Sequence, residues 1–265
     1  MNRTIETRCF KWRVFFLKKI KLFFVVTIDI TTKKPYTLVV IKMVTSKKQI
    51  NRRKFKMKIA VVCANGKAGK LIVKEAVERG LDVTAIAKGK NESNAPHYIE
   101  KDLFDLAKED LQDFDVVIDA FGAWTEEILP LHSTSLNALC NLVSNTAKRL
   151  LIVGGAGSLY VNKEHTLCVS DGADFPEVFK PLASAMAKAL KELRNRNDVK
   201  WTYISPAGDF RADGQRTGQY ILGGEELTLN SKGESVISYA DYAIAMIDEA
   251  TKGNHIQQRI SVVSE

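Results

Sequence analysis

Apolar residues from Met57 onward alternate between two patterns: short continuous runs, and longer stretches where they recur every three or four positions. The first short run, Ile59 to Cys63, is rich in β-branched residues and predicts a buried parallel strand. After a turn, Gly69, Ile72, Val73, Ala76 and Val77 fall on one helical face, and Gly80 closes the helix. Further strands are predicted at Asp82–Ala87, His97–Glu100, Val116–Asp119, Leu150–Val153 and Trp201–Ser205, the last stopped by Pro206. Leu136, Leu139, Cys140, Val143 and Ala147 mark one intervening helix; Leu182, Ala185, Met186, Ala189, Leu190 and Leu193 mark another. Ser238-Tyr239-Ala240-Asp241 has the form of a capping box, with Asp as the shorter acid, and opens a helix through Ala243, Ile244 and Ile247. Arg259–Val263 is a last strand. Strands and helices that keep alternating predict an α/β fold of Rossmann type: a doubly wound, mainly parallel sheet with helices on both faces. Ligands in such sheets bind beyond the carboxyl ends of the strands.

Residues 1–56 do not share this pattern. Their most apolar stretch, Val14 to Ile30, is interrupted by Lys18, Lys19 and Lys21, too many charges for a spanning helix. No small-residue cleavage site follows it. The 265-residue chain has a net charge of +8, but this total hides a division. Residues 1–56 hold 16 Lys+Arg against 2 Asp+Glu, and residues 57–265 hold 23 against 29. We therefore expect two parts: a basic N-terminal extension, 1–56, outside the fold, and a mildly acidic NAD(P)-binding domain, 57–265. Met57 directly precedes the first strand, and Arg52-Arg53-Lys54-Phe55-Lys56 is encodable by a purine-rich ribosome-binding sequence, so 1–56 reads as translated upstream sequence. A basic amphipathic membrane anchor is the alternative. The acidic balance of 57–265 argues against a nucleic-acid surface. The four cysteines form no C-x-x-C pair, and His97, His132, His165 and His255 show no metal-ligand spacing. The expectation is a cytoplasmic protein without a metal, acting on a small molecule, with no membrane or nucleic-acid partner.

Candidate chemistry centres on Asn65-Gly66-Lys67-Ala68-Gly69, between the first strand and its helix. Such a turn suits a dinucleotide's diphosphate. Gly66 allows the backbone to approach the phosphates, Gly69 allows close helix–strand packing, and the helix N-terminus offers free N–H groups and a partial positive charge. NAD-preferring folds place an acid near the end of the second strand to accept the ribose hydroxyls. Lys88 stands here instead, with Lys90 close behind. An ammonium attracts a 2′-phosphate, so NADP(H) is expected to be preferred and NAD(H) accepted. Asp102 is placed to meet the adenine. The Ala120-Phe121-Gly122 loop and Gly155 are expected to contact the cofactor, with Trp124 and Pro206 in the substrate pocket.

Ile59 to Gly69, Ala120-Phe121-Gly122, Gly154-Gly155-Ala156-Gly157-Ser158-Leu159, and Ser235 through Ala243 resemble the NADH-flavin reductase-like proteins. These belong to the atypical short-chain dehydrogenase/reductase superfamily, near the NmrA-like and biliverdin reductase B-like proteins. The resemblance covers 57–265 and none of 1–56. It departs from the family at two points. The first loop usually reads G-x-x-G-x-x-G, and Cys63 stands at its first glycine. Lys88 stands where the family often has Arg, keeping the charge but losing the planar fork suited to phosphate.

Short-chain dehydrogenases that reduce carbonyls use a Tyr-x-x-x-Lys pair. Tyr160 has Lys163 three residues on, and Phe179 occupies the place before the helix where a tyrosine belongs. Hydride transfer to a flavin needs no such pair, because the flavin nitrogens accommodate the charge and the protein stacks two flat rings. The expected function is an NAD(P)H-dependent oxidoreductase of flavin-reductase type, with flavin as substrate rather than bound cofactor. Phe121 and Trp124 would form an apolar wall, and Ser158 is the candidate catalytic hydrogen-bonding group. The alternative is an NAD(P)-binding redox sensor without turnover. An epimerase-like enzyme is disfavoured by the same missing pair.

Overall fold

A computed structural model describes residues 57–265. The N-terminal extension assigned from sequence, 1–56, lies outside the described residues. The first strand, β1 (Lys58–Val62), leads into helix α1 (Lys67–Glu78), followed by β2 (Asp82–Ala87) and β3 (His97–Glu100). A one-turn helix, α2 (Lys108–Leu111), precedes β4 (Val116–Asp119), and α3 (Leu131–Val143) precedes β5 (Arg149–Val153). Next come α4 (Lys180–Leu193), β6 (Lys200–Ser205), β7 (Asp209–Arg211), β8 (Ile221–Gly223), β9 (Val236–Ser238), α5 (Tyr239–Lys252) and β10 (Gln258–Val263).

The main sheet has eight strands in the order β3-β2-β1-β4-β5-β6-β10-β8. Seven run parallel, and β8 pairs antiparallel at one edge of β10. The order reverses at β1, which pairs with β2 on one side and β4 on the other. This switch point opens a crevice at the carboxyl ends of β1 and β4, where ligands bind in open α/β sheets.

The continuous apolar strand runs follow from burial on both faces. Ile59 and Val61 of β1 enter a core with Ile72, Val73 and Ala76 of α1 and Tyr242, Met246 and Ile247 of α5. Ala60 and Val62 enter the opposite core with Leu136, Leu139 and Cys140 of α3 and Leu190 and Leu193 of α4. Gly80, at φ 68°, ends the first helical segment as its composition predicts. Ser238 caps α5: its Oγ accepts from the Asp241 N–H at 3.0 Å. Sequence periodicity does not reveal β7 and β9, a separate parallel pair, or β8, because each is three residues long. Among the described residues, no helix is long and apolar enough to cross a membrane.

Candidate functional site

β1 delivers the chain to a tight turn, and Cys63 adopts φ 59° there. That left-handed conformation explains why related loops place glycine at this point; a cysteine holds it at a cost of roughly 1 kcal/mol. Burial pushes the Cys63 thiol up to about 12, with the nearby Asp119 and Asp102 carboxylates adding to the effect. Gly66 is the N-cap of α1 and carries no side-chain cap, and the first turn holds no acid. The N–H groups of Lys67, Ala68 and Gly69 have no acceptor among the described residues. Gly69 brings α1 against the turn: a Cβ on it would lie 2.7 Å from the Cys63 carbonyl oxygen and 2.8 Å from the Ala64 Cα.

Asn65 ties this turn to the segment after β2. Its Nδ2 donates to the carbonyls of Lys88 (3.1 Å) and Lys90 (2.9 Å), and its Oδ1 accepts from the Glu92 N–H at 3.0 Å. The amide therefore fixes the path of the loop that carries Lys88. The exposed Lys88 ammonium pairs with Asp102 at 2.6 Å. That contact, with the Phe104 N–H on Asp102 Oδ1, holds the Asp102 carboxyl below the usual carboxylate range.

These parts meet in a cavity of about 970 Å³ at the switch point. Asn65, Gly66, Lys67, Ala68, Lys88, Asp102, Ala120, Phe121, Gly122, Trp124, Gly155 and Pro206 all line it. Two residues assigned from sequence do not. Gly69 lies behind the wall, where it seats the helix on the turn. Ser158, the expected catalytic group, is not among the lining residues. Its Oγ and its carbonyl accept from Arg259 Nη1 at 3.0 and 2.8 Å, and Arg259 is in turn paired with Glu225. The hydroxyl belongs to a half-buried ion-pair cluster outside the cavity lining. The glycine stretch before it also answers to packing: a Cβ on Gly155 would meet Met186 Sδ at 2.9 Å, and Gly154 abuts the Tyr203 ring.

The apolar mouth is larger than the sequence indicated. Phe175, Phe179 and Met186 join Trp124 there, as do Phe210 and Tyr239, whose rings are tilted against each other at 3.9 Å. The expected helical face of α4 identified Met186 as core, and nothing in the spacing showed that its loop-facing end reaches the cavity. Phe210 is the middle residue of the three-residue β7 and Tyr239 the first residue of α5, and nothing in the spacing at either position points a ring into a cavity.

The arrangement can hold a dinucleotide. Free amides at a helix N-terminus with a glycine at the cap form an anion cradle, Lys67 and Lys88 supply cations, and most of the remaining wall is apolar. Comparisons with known proteins agree. Residues 63–250 match the family model described as NAD(P)H-binding. The chain is 43% identical to YwnB of Bacillus subtilis over 212 residues, 79% of this chain and 99% of that protein. It is 55% identical to the crystal structure of SP1627 from Streptococcus pneumoniae TIGR4, described as a candidate NADH-flavin reductase. That match has a TM-score of 0.77 and covers 79% of this chain and all of that one. A protein from Bacteroides thetaiotaomicron described as a candidate epimerase is 32% identical with a TM-score of 0.69, over 79% of this chain and 97% of its own. The chain belongs to the NAD(P)H-binding family of Rossmann-fold proteins.

Proposed function

We propose that this protein is an NAD(P)H-dependent oxidoreductase of flavin-reductase type, preferring NADP(H) and taking a flavin as a diffusible substrate. The observation that carries this is one cavity with a free amide cradle at one end and a wide aromatic mouth at the other. Its volume of about 970 Å³ lies at the upper end of small-molecule sites, with room for two ring systems.

The amides of Lys67 and Ala68 would hold the diphosphate, with the Lys67 side chain adding a charge beside them. Lys88 would receive the 2′-phosphate by exchanging Asp102 for a doubly charged partner. The backbone of Ala120-Phe121-Gly122 and the apolar floor of Val153 and Met186 would set the nicotinamide plane. Trp124, Phe175 and Phe179 would stack the acceptor and keep water from the reacting faces. The nicotinamide, when bound, supplies a hydride, and the flavin ring accepts it without an acid from the protein. No Tyr-x-x-x-Lys pair serves the site, which fits this acceptor better than a carbonyl.

The test is to titrate the protein with NADPH and NADH, then follow NADPH oxidation with FMN, FAD, riboflavin and a quinone. Oxidation that saturates with flavin is the expected result. Tight NADPH binding without oxidation by any of these acceptors would overturn the reductase reading and favour a redox sensor.

A further inference from the structure

Beside the main cavity lies a second, small chamber of about 20 Å³, lined in part by Asp119, Ser135, His132 and Tyr203. Phe121, His132, Val153 and Met186 face both spaces and form the partition between them. A volume of roughly 10–15 Å³ suffices for one water, and this chamber is polar enough to hold one. The Ser135 Oγ is buried without a hydrogen-bond partner among the described residues.

Asp119 is the last residue of β4 and is 4% exposed. Its Oδ1 accepts from the Phe121 N–H at 3.0 Å. The groups around it are the Cys63 thiol just after β1, Ser135, His132 and the Cys140 thiol on α3, and Tyr203 on β6. Met186 and Ala189 of α4 contribute only apolar surface. None of these is a cation near neutral pH. His132 Nε2 donates to the Ala123 carbonyl at 3.1 Å, and burial lowers its basicity. The Tyr203 oxygen accepts from the Gly155 N–H at 3.1 Å, and burial raises its phenol to about 12. Lys88, the nearest cation on the neighbouring loop, is paired with Asp102.

We propose that Asp119 is a proton-binding group coupled to the dinucleotide: its carboxylate takes up one proton from solvent when the cofactor settles over Ala120-Phe121-Gly122, with a single water in the chamber joining it to Ser135. This rests on the dinucleotide reading of the cavity. Desolvation already raises Asp119 to about 6. A nicotinamide ring over Ala120-Phe121-Gly122, Val153 and Met186 would cover this partition and remove the remaining solvent, which favours the neutral carboxyl. The charge on the protein changes from −1 to 0 at this site, with buffer as the proton source.

Linkage makes this measurable with NADH, which lacks the titrating 2′-phosphate of NADPH. If binding moves Asp119 by about one unit, the NADH dissociation constant weakens about fivefold between pH 6 and 8. Calorimetry at pH 6.5 in buffers of different ionisation enthalpy should show uptake of about half a proton per NADH on the same assumption. Asp119→Asn, an isostere of the neutral acid, should bind NADH with a flat pH profile and no proton uptake. If that variant fails to fold, the wild-type calorimetry decides alone, and zero proton uptake overturns the proposal. Equal pH dependence in the wild type and Asp119→Asn would overturn it too, assigning the proton elsewhere, with His132 the first alternative. NADH binding that is independent of pH removes this coupling and leaves the cofactor reading standing. Absence of NADH and NADPH binding at every pH removes both.

Discussion

The ammonium of Lys88 lies 2.6 Å from the carboxylate of Asp102, at the end of the crevice where the adenosine half of a dinucleotide would sit. Both residues are at the carboxyl ends of neighbouring strands, Lys88 after β2 and Asp102 after β3, and β2 and β3 pair directly. The cation that favours a 2′-phosphate thus has a resident competitor.

Two variants separate these effects. Asp102→Asn frees Lys88 and is expected to raise the NADPH-to-NADH affinity ratio several-fold. Lys88→Asp puts two acids at the site and should lower NADPH affinity by about tenfold or more, with NADH affected less. Fluorescence titration with each nucleotide reads both ratios. An unchanged ratio in Lys88→Asp would remove Lys88 from the specificity determinants.

Gly66 and Gly69 should fail in different ways when changed to Ala. At Gly69 the added Cβ meets backbone atoms at 2.7 and 2.8 Å, which cannot move independently. Its expected cost is about 1–3 kcal/mol of stability, or roughly 2–4 °C per kcal/mol in a thermal melt of a domain this size. At Gly66, φ is −68° and the Cβ comes only within 3.3 Å of the Cys63 carbonyl oxygen. Gly66→Ala should melt near the wild type and lose nucleotide affinity. A normal melt for Gly69→Ala would contradict the packing role.

Trp124 is 70% exposed at the cavity mouth, an arrangement with little stabilising value to the fold alone. Trp124→Ala is expected to leave stability within about 0.5 kcal/mol. It should raise the flavin KM about three- to tenfold through lost stacking, with NADPH affinity unchanged. A flavin KM equal to the wild type would show that the acceptor sits elsewhere.

Asp119 also makes a prediction about stability without any ligand. Its folded value is raised, to about 6, so its contribution is fully present below the unfolded value near 4 and is lost as pH rises through 6. Asp119→Asn does not titrate, and its side-chain oxygen can still accept from Phe121. At pH 8 it should exceed the wild type by roughly 2–3 kcal/mol, with the difference vanishing near pH 4. Urea unfolding at the two pH values tests this; a constant difference would mean that Asp119 does not titrate differently in the folded state.

Much of the site was legible before the structure because its parts are local. A strand, a glycine turn and a helix N-terminus follow one another in sequence, so the residues from Ile59 to Gly69 disclose the cradle by themselves. Lys88 and Asp102 were legible for a related reason: each lies one or two residues past a strand end, and strand ends in a parallel sheet share one edge. Ser158 sits in the loop after β5, where site residues are expected, and its partner Arg259, which the sequence did not indicate, is 101 positions away. The glycine stretch before it carried a packing signal, Tyr203 and Met186 against Gly154 and Gly155, that looks like a ligand signal when read along the chain.

The amino-acid order alone determined the alternation of buried strands and one-faced helices, and with it the doubly wound sheet and the position of the glycine turn after β1, because hydrophobic periodicity and glycine placement act over a few residues. Only the tertiary structure decided which side chains meet across that sheet. The pairing of Lys88 with Asp102, the capture of Ser158 by Arg259, and the enclosure of Asp119 with Ser135 depend on loops brought together by distant strands. Burial and charge at such points are set by neighbours that sequence distance does not disclose.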